Sequence, residues 1–204
     1  MPVTPSSPAL SHTRALKRER LMNAALAMLE EGWFPSITEL ANAAEVSRAT
    51  AYRYFPSQAA LVSAVVDASL GPVLNWTPQA AQPTARMAEL LQFAYPQMEQ
   101  HEGALRGALL VSLQQWADAK GGRKKDEPKY VRGNRKVLLG HAVAPLEGSV
   151  GAPELARLKQ ALSLLYGTET LVVLKDIWGL DLEQIQAVTT WMSEALITAT
   201  VKGE

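Results

Sequence analysis

Apolar positions recur at helical spacing along most of the chain, and two short patterns of this kind stand close together near the amino terminus. Ser36 and Glu39 have the spacing of a capping box, which predicts a helix that begins there. Residues 43–46 indicate a tight turn, and Ser47 is a candidate N-cap for a second helix over residues 48–55. Two helices joined by such a turn predict a helix-turn-helix, the unit that lays its second helix in the major groove of DNA.

The outer surface of the predicted second helix has the chemistry of a DNA contact. Ala51 and Phe55 are four residues apart and are predicted to face the core together with Val46. Arginine pairs with guanine edges, threonine and alanine contact thymine methyl groups, and tyrosine hydroxyls bind phosphates. An ordinary solvated helix in a small helical domain is the alternative interpretation. The residues left on the outer surface are Arg48, Ala49, Thr50, Tyr52, Arg53 and Tyr54.

One further pattern extends across the stretch between Ala24 and Leu61. Its residues are Ala24, Ala25, Gly32, Ile37, Thr38, Leu40, Ala41, Ala44, Val46, Ser47, Thr50, Tyr52, Phe55, Pro56, Ser57 and Leu61. In these residues the stretch resembles the TetR family of transcriptional regulators. The resemblance implies an all-α fold, in which an amino-terminal three-helix helix-turn-helix domain precedes a larger helical domain for ligand binding and dimerisation. Thr38, Ser47 and Gln58 thereby join the predicted DNA contacts.

A weaker resemblance, to one branch of the same family, lies in residues 166–169 and 174–176. The family assigns the last two helices, predicted here over residues 153–178 and from Asp181 onward, to a homodimer interface. A two-fold dimer presents two DNA-contacting helices, so it would bind inverted half-sites one helical turn or more apart. The apolar stripe predicted for the last helix consists of Ile185, Val188, Met192, Ala195 and Ala199. Composition alone says only that these apolar helices are buried against some surface.

Three residues depart from the usual pattern of the family. Glu45 stands in the turn where glycine is common, and a positive φ there would cost on the order of 1 kcal/mol. Ala51 replaces a larger aliphatic residue, which predicts thinner packing under the second helix. Gln58 stands where a lysine or arginine usually contacts phosphate, so we expect lower affinity for DNA and a weaker dependence of that affinity on salt.

Positive charge is concentrated just ahead of the helix-turn-helix. The chain of 204 residues is 48% hydrophobic and 20% charged with a formal net charge of zero, so a DNA-binding protein of this composition has to gather its cations locally. Residues 14–20 contain four basic side chains and one acidic one, and Arg14 and Lys17 are predicted to lie along DNA phosphates. A solubilising helix end is the alternative interpretation.

The patterns divide the chain into three predicted segments. Residues 1–13 are expected to form a mobile arm, residues 14–56 a DNA-binding domain, and residues 57–204 a helical ligand-binding and dimerisation domain. The absence of cysteine excludes disulfides, thiolate metal sites and cysteine nucleophiles. No apolar run is long enough to span a bilayer and no signal peptide is recognisable, so we expect a cytoplasmic protein without a membrane partner.

The carboxyl-terminal segment shows further helical patterns, over residues 84–100, 102–119 and 129–146, ahead of the last two. Residues 72–83 hold three prolines and are predicted to form a linker. Trp76 within this linker is either a lid over a pocket or a plug on the surface of the core.

A ligand site is expected from the family and is weakly marked in the sequence. Glu169 lies in phase with apolar residues, and a buried carboxylate needs a partner, which Arg135 or a cationic ligand would supply. A structural ion pair is the alternative for Glu169, and plain core packing is the alternative for the apolar candidates. The predicted pocket residues are Phe93, Met98, Leu113, Trp116, Tyr130, Arg135, His141, Tyr166 and Glu169.

Three functions are compatible with these patterns. The first is a ligand-responsive repressor that binds a palindromic operator in double-stranded DNA as a homodimer and is released by a small-molecule effector. The alternative is a DNA-binding dimer without an effector. A helical enzyme is disfavoured because the sequence shows no metal-spaced histidine pair, no GxSxG motif and no glycine-rich phosphate loop. We expect no cofactor and no metal.

Overall fold

The computed structural model describes residues 8–123, 130 and 134–203, and the chain divides into two compact units. Unit 1 comprises the described residues of 1–68 and 103–130, and unit 2 those of 69–102 and 131–204. The boundary of unit 1 does not coincide with the functional division predicted at residue 56, because unit 1 also contains residues 57–68 and the described part of 103–130. The functional division itself stays a prediction. None of the helices in the described residues combines the length and apolar character that crossing a bilayer requires.

Unit 1 is built from five helices of the described chain. Its core under the first helix consists of Leu21, Ala25 and Leu29, each fully buried. The first helix begins at Pro8, inside the segment predicted as a mobile arm, and residues 1–7 lie outside the described residues. The helices are α1 Pro8–Glu30, α2 Ile37–Ala43, α3 Arg48–Tyr54, α4 Gln58–Ser69 and α7 Glu102–Lys120.

Two glycines let α7 approach the end of α1 closely. A Cβ atom on Gly103 would overlap the backbone carbonyl of Leu29, and one on Gly107 would press into the ring of Phe34. The Glu30 carboxylate accepts a hydrogen bond of 3.0 Å from the Gly103 amide at the first turn of α7. An acceptor at this end of a helix satisfies one of its unpaired amides, so α7 is anchored to unit 1 by both packing and capping.

Unit 2 is organised around the long helices α6 and α11, which pack along one another. Helices α8 and α9 cover them, and the Tyr95 hydroxyl of α6 donates a 2.7 Å hydrogen bond to the Leu165 carbonyl. Helix α6 continues through Pro96. The α-helices are α5 Gly71–Leu74, α6 Pro83–Gln100, α8 Asn134–Val143, α9 Ala152–Leu162, α10 Thr168–Leu171 and α11 Leu182–Lys202. A π-helix spans Val172–Ile177, and 3-10 turns span Ala144–Leu146 and Ser163–Leu165.

The prediction of one continuous helix over residues 153–178 is wrong. The chain leaves the helix at Tyr166, whose φ of −136° is extended, and turns at Gly167 with a φ of +136°. That φ belongs to a region that side chains other than hydrogen strongly disfavour, so a glycine is needed. The apolar spacing continues on both sides of this glycine, which is why periodicity alone did not reveal the break.

Two other predicted segments differ from the structure in detail. The helix predicted over residues 129–146 is described from Asn134, and residues 129 and 131–133 of the prediction lie outside the described residues. The predicted linker contains the short helix α5, and Trp76 is only 8% exposed. Of the two interpretations of Trp76, burial supports the plug.

The core-facing side of α11 is not the apolar stripe that the sequence predicted. Thr189 and Ser193 are buried, and their hydroxyls donate 2.8 Å hydrogen bonds to carbonyls of the same helix. These bonds remove the cost of burying a hydroxyl, which allows polar residues to face the core. The predicted stripe was Ile185, Val188, Met192, Ala195 and Ala199, of which Ile185 alone is buried. The buried residues are Ile185, Thr189, Ser193 and Ile197.

Candidate nucleic-acid interface

The helix-turn-helix begins with the predicted capping box. The Ser36 hydroxyl accepts a 3.2 Å hydrogen bond from the Glu39 amide, and the Glu39 carboxylate accepts a 2.8 Å bond from the Ser36 amide. The bond from the Ser36 backbone, followed by the side-chain bond, lowers the pKa of Glu39 below its ordinary value. Ile37, Leu40 and Ala41 are buried beneath this start, so local chemistry and packing agree on where α2 begins.

The turn between α2 and α3 places Glu45 in the left-handed region, at a φ of +53°. The Val46 amide donates a 3.0 Å hydrogen bond to the Ala41 carbonyl and closes the end of α2. Glu45 therefore has the positive φ for which the sequence analysis expects a cost in free energy, because a residue with a Cβ atom is strained in this region.

Helix α3 is capped by Ser47, as predicted. Its hydroxyl accepts a 3.2 Å hydrogen bond from the Thr50 amide and lies 2.9 Å from the Thr50 hydroxyl. Ala51 and Phe55 are buried under the helix, while Val46 is half-buried. The caps and this small core fix which side of α3 faces solvent.

The exposed side of α3 carries four of the eleven predicted DNA contacts, and we call it the outer face of α3. Its members Arg48, Ala49, Tyr52 and Arg53 have exposed side chains. Half-buried positions are occupied by Thr38, Thr50 and Tyr54, and the exposed residues Ser47 and Gln58 stand at the starts of α3 and α4. Two guanidiniums with a phenol and a methyl group between them match the hydrogen-bonding and apolar features of base edges and phosphates.

Two of the predicted DNA contacts donate hydrogen bonds to distant parts of unit 1. The Tyr54 hydroxyl donates a 2.9 Å bond to the backbone carbonyl of Arg14. The Gln58 amide nitrogen donates a 2.9 Å bond to the backbone carbonyl of Pro35. These partners lie 40 and 23 residues away in sequence, so the residue pattern carried no signal for either bond.

The amino-terminal part of α1 is an exposed basic helix, and residues 13–20 are called the basic segment. Every side chain in it is exposed, Arg14 and Lys17 included. Four basic residues and one acidic residue give the basic segment a net charge of +3, since four minus one is three. A positively charged helix without an apolar face is suited to lie along a polyanion.

The expected ion pair of Glu169 is present in unit 2. Arg135 Nη2 lies 2.8 Å from Glu169 Oε2, and Arg135 Nη1 donates a 3.0 Å bond to the Ser163 carbonyl. The two charged side chains are 21% and 45% exposed, so the pair stands at the edge of the core. Beside it, burial raises the pKa of Tyr166, while the positive charge of Arg135 acts in the opposite direction.

Four of the nine predicted pocket residues are exposed at the surface, contrary to expectation. Phe93 points away from the buried side of α6, and His141 lies between the buried positions of α8. Leu113 and Trp116 are 55% and 64% exposed because α7 buries only its first half. Met98 is buried, whereas Tyr130 is half-buried and belongs to unit 1 with Leu113 and Trp116.

Unit 2 exposes large apolar side chains near its carboxyl end. Trp191 is 70% exposed and lines a shallow groove on α11 together with Glu194, Ala195, Thr198 and Ala199. Met192 and Val201 of the same helix are also exposed. Such a surface is unfavourable in water unless another surface covers it. The other exposed apolar residues in this part of unit 2 are Leu164, Val173, Ile177 and Trp178.

Comparison with known proteins identifies the amino-terminal region. A sequence profile of the bacterial regulatory proteins of the tetR family matches residues 21–65, which run from the buried part of α1 into α4. The fold resembles the crystal structure of a TetR transcriptional regulator from Rhodococcus sp. RHA1, with a TM-score of 0.59 and 16% sequence identity over 90% of this chain and 96% of that chain. At this identity the structural likeness concerns the fold. A comparison with curated protein sequences gives no match.

Proposed function

Because the chain belongs to the TetR family and is a DNA-binding transcriptional regulator, we propose that it is a repressor which binds a palindromic operator as a homodimer and is released by a small molecule. The observation that carries this proposal is the outer face of α3. Its guanidiniums and its phenol stand on a helix whose orientation is set by caps and a buried underside.

The proposed contacts with DNA follow from the chemistry of each side chain. Arg48 and Arg53 are positioned to read base edges, and Ala49 to contact a thymine methyl group. Tyr52 is 48% exposed and donates to a phosphate, which fixes the register of the helix on the duplex. The basic segment adds contacts to phosphates that carry no sequence information.

A second copy of the chain is the proposed cover for the apolar surface of unit 2. Trp191 stands near the middle of α11, and a two-fold axis close to it would bring the same surface of both copies together. Aromatic residues dominate the energy of such interfaces, and burying this ring would contribute up to a few kcal/mol. The resulting dimer would present two α3 helices to one duplex.

The proposed effector site lies in unit 2, at the ion pair of Arg135 and Glu169 beside Tyr166. A ligand that separates this pair would alter the link between α8 and the Gly167 turn, and thereby the packing of α10. The structure also favours the alternative of a dimer without an effector, because Arg135 and Glu169 already satisfy one another. The two proposals differ in one observable, which is release of DNA by a small molecule.

The test is selection of DNA by the purified protein from a library of randomised duplexes. Enrichment of a sequence with two inverted half-sites, bound by two chains in sedimentation measurements, would support the proposal. Enrichment of a single asymmetric half-site bound by one chain would refute the dimeric operator. A chain that enriches no sequence at any salt concentration would refute specific DNA recognition through α3.

The enriched duplex then allows the effector to be sought. Metabolite and drug libraries are screened for compounds that release the labelled duplex from the wild-type protein. The same compounds are then tested on an Arg135→Ala variant. A compound that acts at the ion pair should release the duplex from the wild-type protein and be less potent on the variant. Compounds that release both proteins equally would place the effector site elsewhere.

A further inference from the structure

The hydrogen bond between Tyr54 and Arg14 gives Tyr54 a role other than the phosphate contact that the sequence predicted. A tyrosine hydroxyl has a single proton to donate. In the structure that proton is donated to the Arg14 carbonyl at 2.9 Å. A phosphate offers only acceptors, so the same hydroxyl cannot donate to a phosphate while this bond is present.

The bond joins α3 to an exposed part of α1. The side chains of residues 13–20 are exposed, and Leu21 is the first buried residue after them. A helical segment without a buried apolar face is marginally stable in water, because helical stability in proteins comes mainly from packing. The contact with α3 therefore helps to set the direction of the basic segment.

Tyr54 also touches the cationic side of α3. The Arg53 guanidinium carbon lies 5.5 Å from the centre of the Tyr54 ring, a distance at which a cation is attracted to an aromatic face. One side chain thus connects a guanidinium of the outer face of α3 with the backbone of the basic segment.

We propose that Tyr54 is a positioning residue for DNA binding. Its hydroxyl keeps the basic segment beside α3, so that Arg14 and Lys17 reach phosphates that flank the bases contacted by α3. The family profile begins at residue 21, so this role for the basic segment rests on the geometry of the present chain. The inference also rests on the proposed function, since it requires α3 to enter the major groove.

The substitution Tyr54→Phe isolates the hydroxyl, because it keeps the ring beside Arg53. An uncharged hydroxyl contributes nothing directly to counterion release, so loss of a direct contact would leave the salt dependence of binding unchanged. If Tyr54 positions cations, the slope of log K against log salt should become shallower, by up to about 1 for each phosphate contact that is lost. Tyr52→Phe is the matched comparison, because it removes a hydroxyl proposed to contact a phosphate directly. It should weaken binding and leave the slope unchanged.

A double-mutant cycle, measured as binding to the enriched duplex, tests whether Arg14 is the cation that Tyr54 positions. Arg14→Ala should weaken binding by the wild type and have a much smaller effect in the Tyr54→Phe background, since the side chain is then already displaced. The reference cycle pairs Tyr54→Phe with Arg48→Ala, for which the two effects should add. An unchanged salt slope together with an additive Arg14 cycle would overturn the inference.

Amide hydrogen exchange in the free protein tests, in the absence of DNA, whether the bond from Tyr54 to Arg14 stabilises the basic segment. Tyr54→Phe should speed amide exchange in residues 13–20 and leave the buried part of α1 unchanged. Equal exchange in both proteins would also overturn the inference. A wild-type chain that enriches no duplex would instead refute the proposed function, and that failure is seen before any variant is made.

Discussion

The exposed faces of α3 in unit 1 and of α11 in unit 2 have opposite chemistry. On α3 the solvent-facing side chains include Arg48 and Arg53, whereas on α11 they include Trp191 and Met192. Charged groups are stable in water and attract a polyanion from a distance, while exposed indole and thioether groups gain free energy only when they are covered. The outer face of α3 is therefore suited to contact DNA, and the exposed apolar side chains of α11 are suited to contact a protein surface.

The two units also differ in how they turn the chain with a positive φ. Unit 1 places Glu45 at +53°, in a region that residues with a Cβ atom reach at a modest cost. Unit 2 places Gly167 at +136°, which is suited to glycine alone. A Cβ atom at residue 167 would also overlap the Arg135 guanidinium. The first turn therefore tolerates substitution and the second does not.

The largest effect is expected from Trp191→Glu, which places a charge in the proposed dimer interface. Each interface contains two copies, so we expect the dimer to weaken by about 4 kcal/mol, or roughly a thousandfold in its dissociation constant. Sedimentation equilibrium over a range of protein concentrations measures this change. Trp33→Glu is the control, because Trp33 is 56% exposed in unit 1 and should leave the dimer intact. Equal dissociation constants for the two variants would contradict the contrast between the surfaces.

Gly167→Ala tests the turn of unit 2. The unfavourable φ and the overlap with Arg135 should together lower the free energy of unfolding by about 3 kcal/mol. Urea unfolding followed by circular dichroism measures the loss. Gly140→Ala is the matched control, since nothing lies within 4 Å of the added Cβ atom and alanine should stabilise α8 by about 0.5–1 kcal/mol. A Gly167→Ala protein as stable as the wild type would remove the distinction between the turns.

Arg48→Ala tests the charged surface. Loss of one base contact should weaken binding to the enriched duplex by about 2 kcal/mol per chain and relax specificity at one position of each half-site. Equilibrium titration against the enriched and a scrambled duplex measures both quantities. Lys136→Ala removes the same charge from an exposed site in unit 2 and should have little effect on binding. If the two variants weaken binding equally, net charge would explain the loss and α3 would not be the reading surface.

Glu45→Gly should give the smallest effect, a net gain in stability of roughly 0.5–1 kcal/mol. Glycine removes the strain at positive φ, and this relief should exceed the loss that comes from the greater freedom of the unfolded chain. Thermal unfolding of the full chain measures it. Glu45→Ala removes the same charge and keeps the Cβ atom, so it should bring no comparable gain. A stability gain shared by both variants would assign the effect to charge instead of backbone conformation.

The helix-turn-helix could be predicted from the sequence because its signals are local. Ser36 and Ser47 lie within three residues of the amides that they cap, and Ala51 and Phe55 follow one helical period. Each of these signals is complete within a short window of sequence. The structure confirms the predicted capping box, the N-cap at Ser47 and the burial of Ala51 and Phe55.

The features that escaped prediction depend on distant partners or on backbone geometry. Tyr54 and Gln58 are among the predicted DNA contacts, but each donates to a carbonyl far away in the chain. Gly167 lies inside an unbroken apolar pattern, and its φ of +136° cannot be inferred from its neighbours. Thr189 and Ser193 lie outside the predicted apolar stripe of α11, because hydropathy takes no account of hydroxyls that bond to their own helix.

The distribution of tryptophans gives the protein an optical property of its own. Trp76 is buried, and the remaining four of the five indole rings, those of Trp33, Trp116, Trp178 and Trp191, are more than half exposed. Indole emission moves to shorter wavelength as water is removed from the ring, so steady-state fluorescence of the free chain is dominated by water-exposed emitters. Any association that covers the end of unit 2 would shift that spectrum to the blue and protect it from aqueous quenchers. Assembly can thus be followed by intrinsic emission, without a label.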